Sequence, residues 1–380
     1  MTPSRRKFLK IAGTSAVIVA AGAGSYAATR TPHDALAPWS AAGNGETPLM
    51  KALSYAVLAP NPHNRQPWLI DLKGADEGVL YCEPERRLPI TDPEDRQITI
   101  GLGCFLEILR IAAAEFGYRA DITPFPDGEP SPRLDQRPVA HIKLVAEAPG
   151  KDPLFAQIPH RRSNKEPYDA ERAVPAELAE KIRVGAGQKV TAVTVMDESG
   201  TAKLRDLTWQ AFEMEMRTPA ALQESIDLMR IGRTEIEANP DGIDLGGLKL
   251  ELLSLVGVLN RESMADPASA AFAEGIKMYR PVIETSKGFL VIRTKGNSRR
   301  EQLDAGAAYV RANLRATGTG ISMHPLSQIL QEYKEMDALY RVGHDLLAPE
   351  GGRVQMLARL GYGQTLAPSP RWPAATRIRS

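Results

Sequence analysis

The stretch from Ile98 to Phe116 constrains the fold most. Ile98, Leu102, Phe105, Leu106, Ile108, Leu109, Ile111, Ala112 and Ala113 cover nearly the whole circumference of a helix. A helix that is apolar all round has to be covered by protein on every side, so it belongs at the centre of the fold. Asp92-Pro93-Glu94-Asp95-Arg96 opens it, with acids where the helix dipole favours them, and Gly117 ends it. A chain of 380 residues can enclose such a helix in one large core or in two joined ones. Its 47 Lys and Arg balance 46 Asp and Glu, which leaves no general attraction to nucleic acid or to anionic membrane.

The N-terminus reads as a targeting segment. Ser4-Arg5-Arg6-Lys7-Phe8-Leu9-Lys10 precedes an uncharged run from Ile11 to Thr29, and Ser25-Tyr26-Ala27 offers small residues to a signal peptidase. The twin arginines match a twin-arginine export signal, which implies the twin-arginine translocase as a partner and a periplasmic location. The run is also long enough for an uncleaved membrane anchor, although Ala, Gly, Ser and Thr make its insertion weak. The expected division is signal peptide 1–29, linker 30–45, a first half 46–148 and a second half 149–380.

Two stretches carry candidate chemistry. Leu53 to Trp68 reads as a short helix entering a turn in which Pro60, Pro62 and Pro67 alternate with Asn61, His63, Asn64 and Gln66. Prolines fix φ and restrict the residue before them, so this turn is stiff and its amides can be held in fixed directions, as recognition of a flat polar heterocycle requires. The second stretch is Ile158 to Tyr168. It groups Arg161, Arg162, Ser163 and Lys165, the donors that suit a phosphate. By charge alone it reads rather as a solvated basic loop.

The pattern Ala56, Ala59, Pro60, Asn64, Gln66, Pro67, Trp68 resembles the flavin-contacting loop of the nitroreductase superfamily. Arg161, Ser163 and Lys165 resemble the segment with which those proteins hold the FMN phosphate and ring, with Lys where Arg is commoner. The resemblance is greatest to the Acg-like branch, in which one polypeptide carries two nitroreductase-like halves. It implies an α+β nitroreductase-like fold with an intrachain pseudo-dimer, central buried helices and mixed or antiparallel sheets. It further implies one FMN per chain. The second half would give Arg161, Arg162, Ser163, Lys165 and Arg371; the first would give Pro60, Asn61, Asn64 and Gln66. The turn from Met323 to Ser327 would lie beside the flavin N5. Pro325 has no N–H there, so Leu326 or Ser327 would donate. His324 could face a substrate or sit at the surface.

The rest of the chain fits two halves. Gly101, Leu109 and Arg110 on the first central helix are echoed by Gly306, Leu314 and Arg315 on a second, from Glu301 to Thr317. Strands are expected over Trp68–Leu72, Gly78–Glu83, Ala120–Phe125, Val139–Val145, Val190–Met196, Phe289–Arg293 and Val354–Tyr362, and helices over Ala176–Arg183 and Thr201–Met216. Residues 217–287 lack a βα rhythm and read as a helical insertion that could lid the site. Cys82 and Cys104 read as buried thiols, with pairing as the alternative in an oxidising compartment. Two cysteines alone cannot hold zinc, and no dinucleotide fingerprint, paired-histidine metal set or hydrolase elbow occurs. The expected activity is an FMN-dependent oxidoreductase acting on a nitroaromatic or quinone. The alternative is a flavin-binding protein that sequesters FMN. Because export removes the chain from soluble nicotinamides, reduction is expected from another donor, such as a membrane quinol or a redox protein, or not at all.

Overall fold

The apolar stretch forms a helix from Arg96 to Glu115 that is buried along nearly all its length. The computed structural model describes residues 31–147, 149–255, 257 and 259–379. The signal peptide expected at 1–29 lies outside them. Against the first central helix packs a second, Arg299–Gly318, opened by a capping box between Ser298 and Glu301. A Cβ on Gly103 would overlap the backbone of Leu303, and one on Gly306 would overlap the carbonyl of Ile100. Only glycine permits so close an approach of two backbones. The contact is reciprocal: Gly103 stands to Gly306 as Ile100 stands to Leu303. The echo expected from the sequence paired Gly101 with Gly306, and the crossing corrects that register. Gly101 instead faces Asn61 and Pro62, where its missing side chain admits the proline-rich turn.

The first residues of the two helices repeat the reciprocity. Arg96 donates to the carbonyls of Leu330 and Gln355, at 2.7 and 2.8 Å, in the later part of the chain. Arg299 donates to those of Glu94 and Pro132, at 2.7 and 2.6 Å, in the earlier part.

One sheet contains β1 (Trp68–Leu72), β2 (Glu77–Cys82), β3 (Arg119–Pro124) and β4 (Ala140–Val145), all antiparallel, in the order β1-β2-β4-β3. Alternation turns Trp68 and Ile70 inward, and Trp68 stacks on Phe105 with ring centroids 4.9 Å apart. Later come β5 (Thr191–Val195), the short parallel pair β6 (Met229–Ile231) and β7 (Ile243–Leu245), and β8 (Gly288–Thr294), β9 (Ser322–Pro325) and β10 (Arg353–Gly361). The second large sheet runs β5-β8-β10-β9, again antiparallel. Both sheets thus share one spatial order, and in both the central helix follows the second of the four strands.

The fold class is α+β, and neither large sheet is mixed. One hydrophobic cluster runs through both parts, from Leu53 and Phe105 to Tyr309 and Leu360. Each large side chain buried there contributes roughly 1.5–3 kcal/mol. The central helix Arg96–Glu115 is long and apolar enough to cross a membrane, but it is core. Cys82 and Cys104 are buried and unpaired.

Three elements differ from expectation. The span read as a linker contains a helix, His33–Ser40, that buries Trp39. A helix over Asp337–Leu347 has no counterpart in the sequence reading. Residues 217–287 hold helices Pro219–Asp227, Gly232–Ala238, Leu248–Leu255, Arg261–Ala265 and Ala270–Glu284, and also the parallel pair β6–β7, which the helical reading did not include. After β10 the chain returns to the first sheet, where Arg379 N–H donates to Ile70 at 2.7 Å.

Candidate cofactor site

A cavity of about 860 Å3 opens beside the first turns of the first central helix. The proline-rich turn, the Arg161–Lys165 stretch, the turn after β9 and Arg371 line one part of it. The insertion lines much of the rest.

The turn is stiff for a reason beyond its prolines. His63, Asn64 and Gln66 all have positive φ, at 45°, 52° and 50°. Each such residue costs on the order of 1–3 kcal/mol and persists only where its surroundings hold it. Asn61 does part of this: its Oδ1 accepts from Gln66 N–H at 2.7 Å and its amide donates to Ala59 at 3.1 Å. Asn64 donates to the Pro370 carbonyl at 3.0 Å and accepts from Arg371 at 2.5 Å. Gln66 is fully buried, donating to Pro240 at 2.7 Å and accepting from Trp372 N–H at 2.9 Å. The amides expected to face a heterocycle therefore fasten the C-terminal segment and the insertion to this turn.

Arg161 and Arg371 form the most costly feature. Both are 2% exposed. Arg161 donates to the Leu58 carbonyl at 3.1 Å and to Asn313 at 3.3 Å. Arg371 donates to Ala59 at 3.1 Å and to the same Leu58 carbonyl at 3.5 Å. Among the described residues neither meets a carboxylate, and the Nε of each has no partner. Burial, with the neighbouring guanidinium second, pushes Arg371 well below its ordinary pKa. Burial first brings Arg161 down to about 10. Two buried, mutually repelling cations cost several kcal/mol apiece unless an anion joins them. Ser163 and Tyr309 line the cavity close to one another, and among the described residues the Tyr309 hydroxyl completes no well-formed hydrogen bond. The donor set and charge suit a dianion such as a phosphate monoester.

Beside it sit Lys165 and His324. Lys165 lines the cavity with an exposed side chain; dense protein around it lowers its pKa, and Asp244 opposes that shift. His324 is buried, and its Nδ1 accepts from Arg359 Nε at 3.1 Å. Burial first, then the charges of Arg359 and Lys165, hold its pKa well below the ordinary value. It is therefore neutral and carries its proton on Nε2. Arg359 is fully buried, 3.8 Å from the Tyr168 ring, and donates at 2.8 Å to the carbonyls of both Asn164 and Glu166, which flank Lys165. One guanidinium thus sets the positions of both groups. Cys104 lines the cavity as well; its thiol donates to Gly306 at 3.2 Å, and burial pushes its pKa up to about 12, so it stays protonated.

No family model matches the chain. Two Mycobacterium tuberculosis proteins that are similar to it carry the name "Putative NAD(P)H nitroreductase". One, Rv3131, is 26% identical over 331 residues, covering 84% of this chain and 87% of its own length. The other, acg, is 34% identical over 80 residues, which is 21% of this chain and 24% of that protein. These relatives are nitroreductases by name. The FMN-dependent nitroreductase NfnB from Mycobacterium smegmatis, solved in complex with NADPH, aligns with a TM-score of 0.34 and 14% identity, covering 58% of this chain and 88% of that one.

Of the residues singled out in the sequence by likeness to nitroreductases, the cavity brings together Pro60, Asn61, Asn64, Arg161, Ser163, Lys165, Pro325 and Arg371. Gln66, Arg162 and Leu326 stand away from it. Arg162 donates to the carbonyls of Leu366, Pro159 and Arg161 and lies 4.7 Å over the Trp39 ring. Leu326 packs in a second apolar cluster, and its N–H donates to Leu357 at 2.9 Å. Ser327, which lines the cavity, is left as the available amide of that turn. Trp39, Tyr309, Arg359 and Glu215 were not foreseen. The buried arginine within apolar β10 is the one sequence signal that marks Arg359.

Proposed function

We propose that this chain is an FMN-dependent oxidoreductase of nitroreductase type, with one flavin per chain and an electron-poor acceptor such as a nitroaromatic or quinone. One observation carries the reading: two buried guanidinium groups share a carbonyl, meet no carboxylate among the described residues and border a cavity large enough for a cofactor. The relatives' name points the same way. Arg161 and Arg371 would hold the FMN phosphate with the hydroxyls of Ser163 and Tyr309. The bound flavin would supply two-electron transfer. Lys165 would favour the anionic reduced ring, and neutral His324 would offer an Nε2–H donor to ligand or acceptor.

The common strand order of the two sheets and the reciprocal glycine crossing support two related halves in one chain. The cradle takes its carbonyls from the first half and its guanidinium groups from the second, which supports one site rather than two. Export by the twin-arginine route, read from the N-terminal sequence, gives a periplasmic protein whose electrons come from a donor other than NADH or NADPH.

Anaerobic spectroscopy tests this function. Dithionite should bleach the bound flavin promptly, NADH or NADPH only slowly, and a nitroaromatic or quinone should restore the oxidised spectrum. Bleached flavin that neither acceptor class reoxidises would overturn the oxidoreductase reading in favour of sequestration.

A further inference from the structure

The phosphate cradle leaves much of the cavity unused, and the remainder has a different chemistry. The insertion lines it with apolar side chains, among them Leu222, Ile226, Leu250 and Leu253. Four methionines, Met216, Met229, Met264 and Met278, join them. Methionine adapts its shape and suits irregular apolar ligands. The helix Leu248–Leu255 turns Leu250 and Leu253 to the cavity, while Leu252 and Leu255 are 48% and 71% exposed. This wall is apolar on both faces, and Met278, 56% exposed, also borders the cavity.

A buried polar group sits beside this apolar surface, while Glu274 borders the cavity from the exposed side. Glu215, on the helix Glu198–Arg217, is 4% exposed and lines the cavity with Gln328 and Gln331. Its Oε1 accepts from Ser225 at 3.5 Å and the Gln331 and Gln328 amides stand close enough to favour its charge, but among the described residues its Oε2 and the Gln331 Oε1 complete no well-formed hydrogen bond. A buried polar atom left unsatisfied costs about 1–3 kcal/mol, which a ligand with a matching polar edge offsets.

We propose that the part of the cavity walled by 217–287 binds a quinone bearing an extended apolar chain, with Glu215 donating a hydrogen bond to a quinone carbonyl. The site would hold the chain among the leucines and methionines and the carbonyl beside Glu215 and Gln331. Binding itself stands on the cavity alone; the ligand's role as electron acceptor rests on the flavin reading above. Protonation makes the donation possible. Burial first, with Glu224 also raising it and Gln331 and Gln328 lowering it, moves Glu215 up to about 7. Tyr279 and Tyr333 also feel the Glu215 charge, and both are raised chiefly by burial, so neither ionises near neutrality; the exposed carboxylate of Glu274 borders the same cavity. His63, at about 4, and His324, far below its ordinary value, are already neutral there. Glu215 is therefore a donor below pH 7 and a carboxylate that repels a carbonyl above it.

Equilibrium binding of 1,4-naphthoquinones to the full chain, by calorimetry without any reductant, tests this. The flavin content of the same sample is read from its absorbance. A side chain of two isoprene units should tighten binding at least about tenfold over the unsubstituted ring, the value of burying roughly two methylene groups. Affinity should fall between pH 6 and pH 8.5 in the parent and stay flat in Glu215→Gln. Leu253→Gln should reduce the gain from the chain while keeping the pH dependence. Equal affinity for the long and short quinones would overturn the proposal without any variant, and so would an undiminished pH dependence in Glu215→Gln. A sample without flavin would count against the oxidoreductase reading while leaving the quinone result to be judged separately.

Discussion

Arg161 and Arg371 are held where a cation is least stable, and among the described residues no carboxylate compensates them. Charge-assisted contacts to a phosphate are worth about 1.5–3 kcal/mol each, so Arg161→Ala with Arg371→Ala should weaken FMN binding at least about a hundredfold. The flavin-free double variant should melt no lower than the flavin-free parent, because it loses two uncompensated buried charges. Fluorescence titration with FMN and thermal melting of both proteins check this; unchanged FMN affinity would refute the cradle. Arg161, Ser163 and Lys165 were singled out by type and local spacing and Arg371 by the family resemblance, and all four line the cavity. Gln66, Arg162 and Leu326 do not, because their directions are set by Pro240 and Trp372, by Leu366 and Trp39, and by Leu357. Those partners lie far away in the sequence, and no local pattern announces them.

The two central helices meet without side chains between them at Gly103 and Gly306. Gly306→Val drives its Cβ into the Ile100 carbonyl, a backbone atom that cannot yield without moving the helix. The expected loss is more than about 3 kcal/mol in urea unfolding, beyond the usual range for overpacking. A loss under about 1 kcal/mol would mean that the helices can separate freely. The first helix was legible from its apolar circumference and β1 from its alternation, whereas β8 and β10 are buried on both faces and read as short apolar runs. The helix His33–Ser40 was not legible, because its short, Pro-containing sequence looks like a connector. What holds it is tertiary: Trp39 donates to Ser369 at 2.8 Å, and Ala35 accepts from Arg371 N–H at 2.8 Å. The pair β6–β7 escaped notice for a similar reason. Three-residue strands carry no usable period, and theirs is fixed by neighbours.

Across the molecule, one cradle draws on distant parts of the chain. Leu58 and Ala59 supply carbonyls, Arg161 and Arg371 supply charge, and Trp39 lies 5.5 Å under the Arg371 guanidinium. The insertion is fastened to it: Gln66 reaches Pro240, and Asp241 pairs with Arg86 and with Arg230, the latter at 2.8 Å. Burial raises the Asp241 pKa, but the surrounding arginines outweigh it and keep the carboxylate ionised. The sequence conveyed this arrangement only as an unequal distribution of motifs between two halves, since assembling it needs the return of the C-terminal segment after β10. The same asymmetry predicts the flavin count. Purified full-length protein, saturated with FMN and freed of excess ligand, should show by flavin absorbance against protein concentration one non-covalent FMN per chain. Two flavins per chain, or a protein that retains none, would contradict the account.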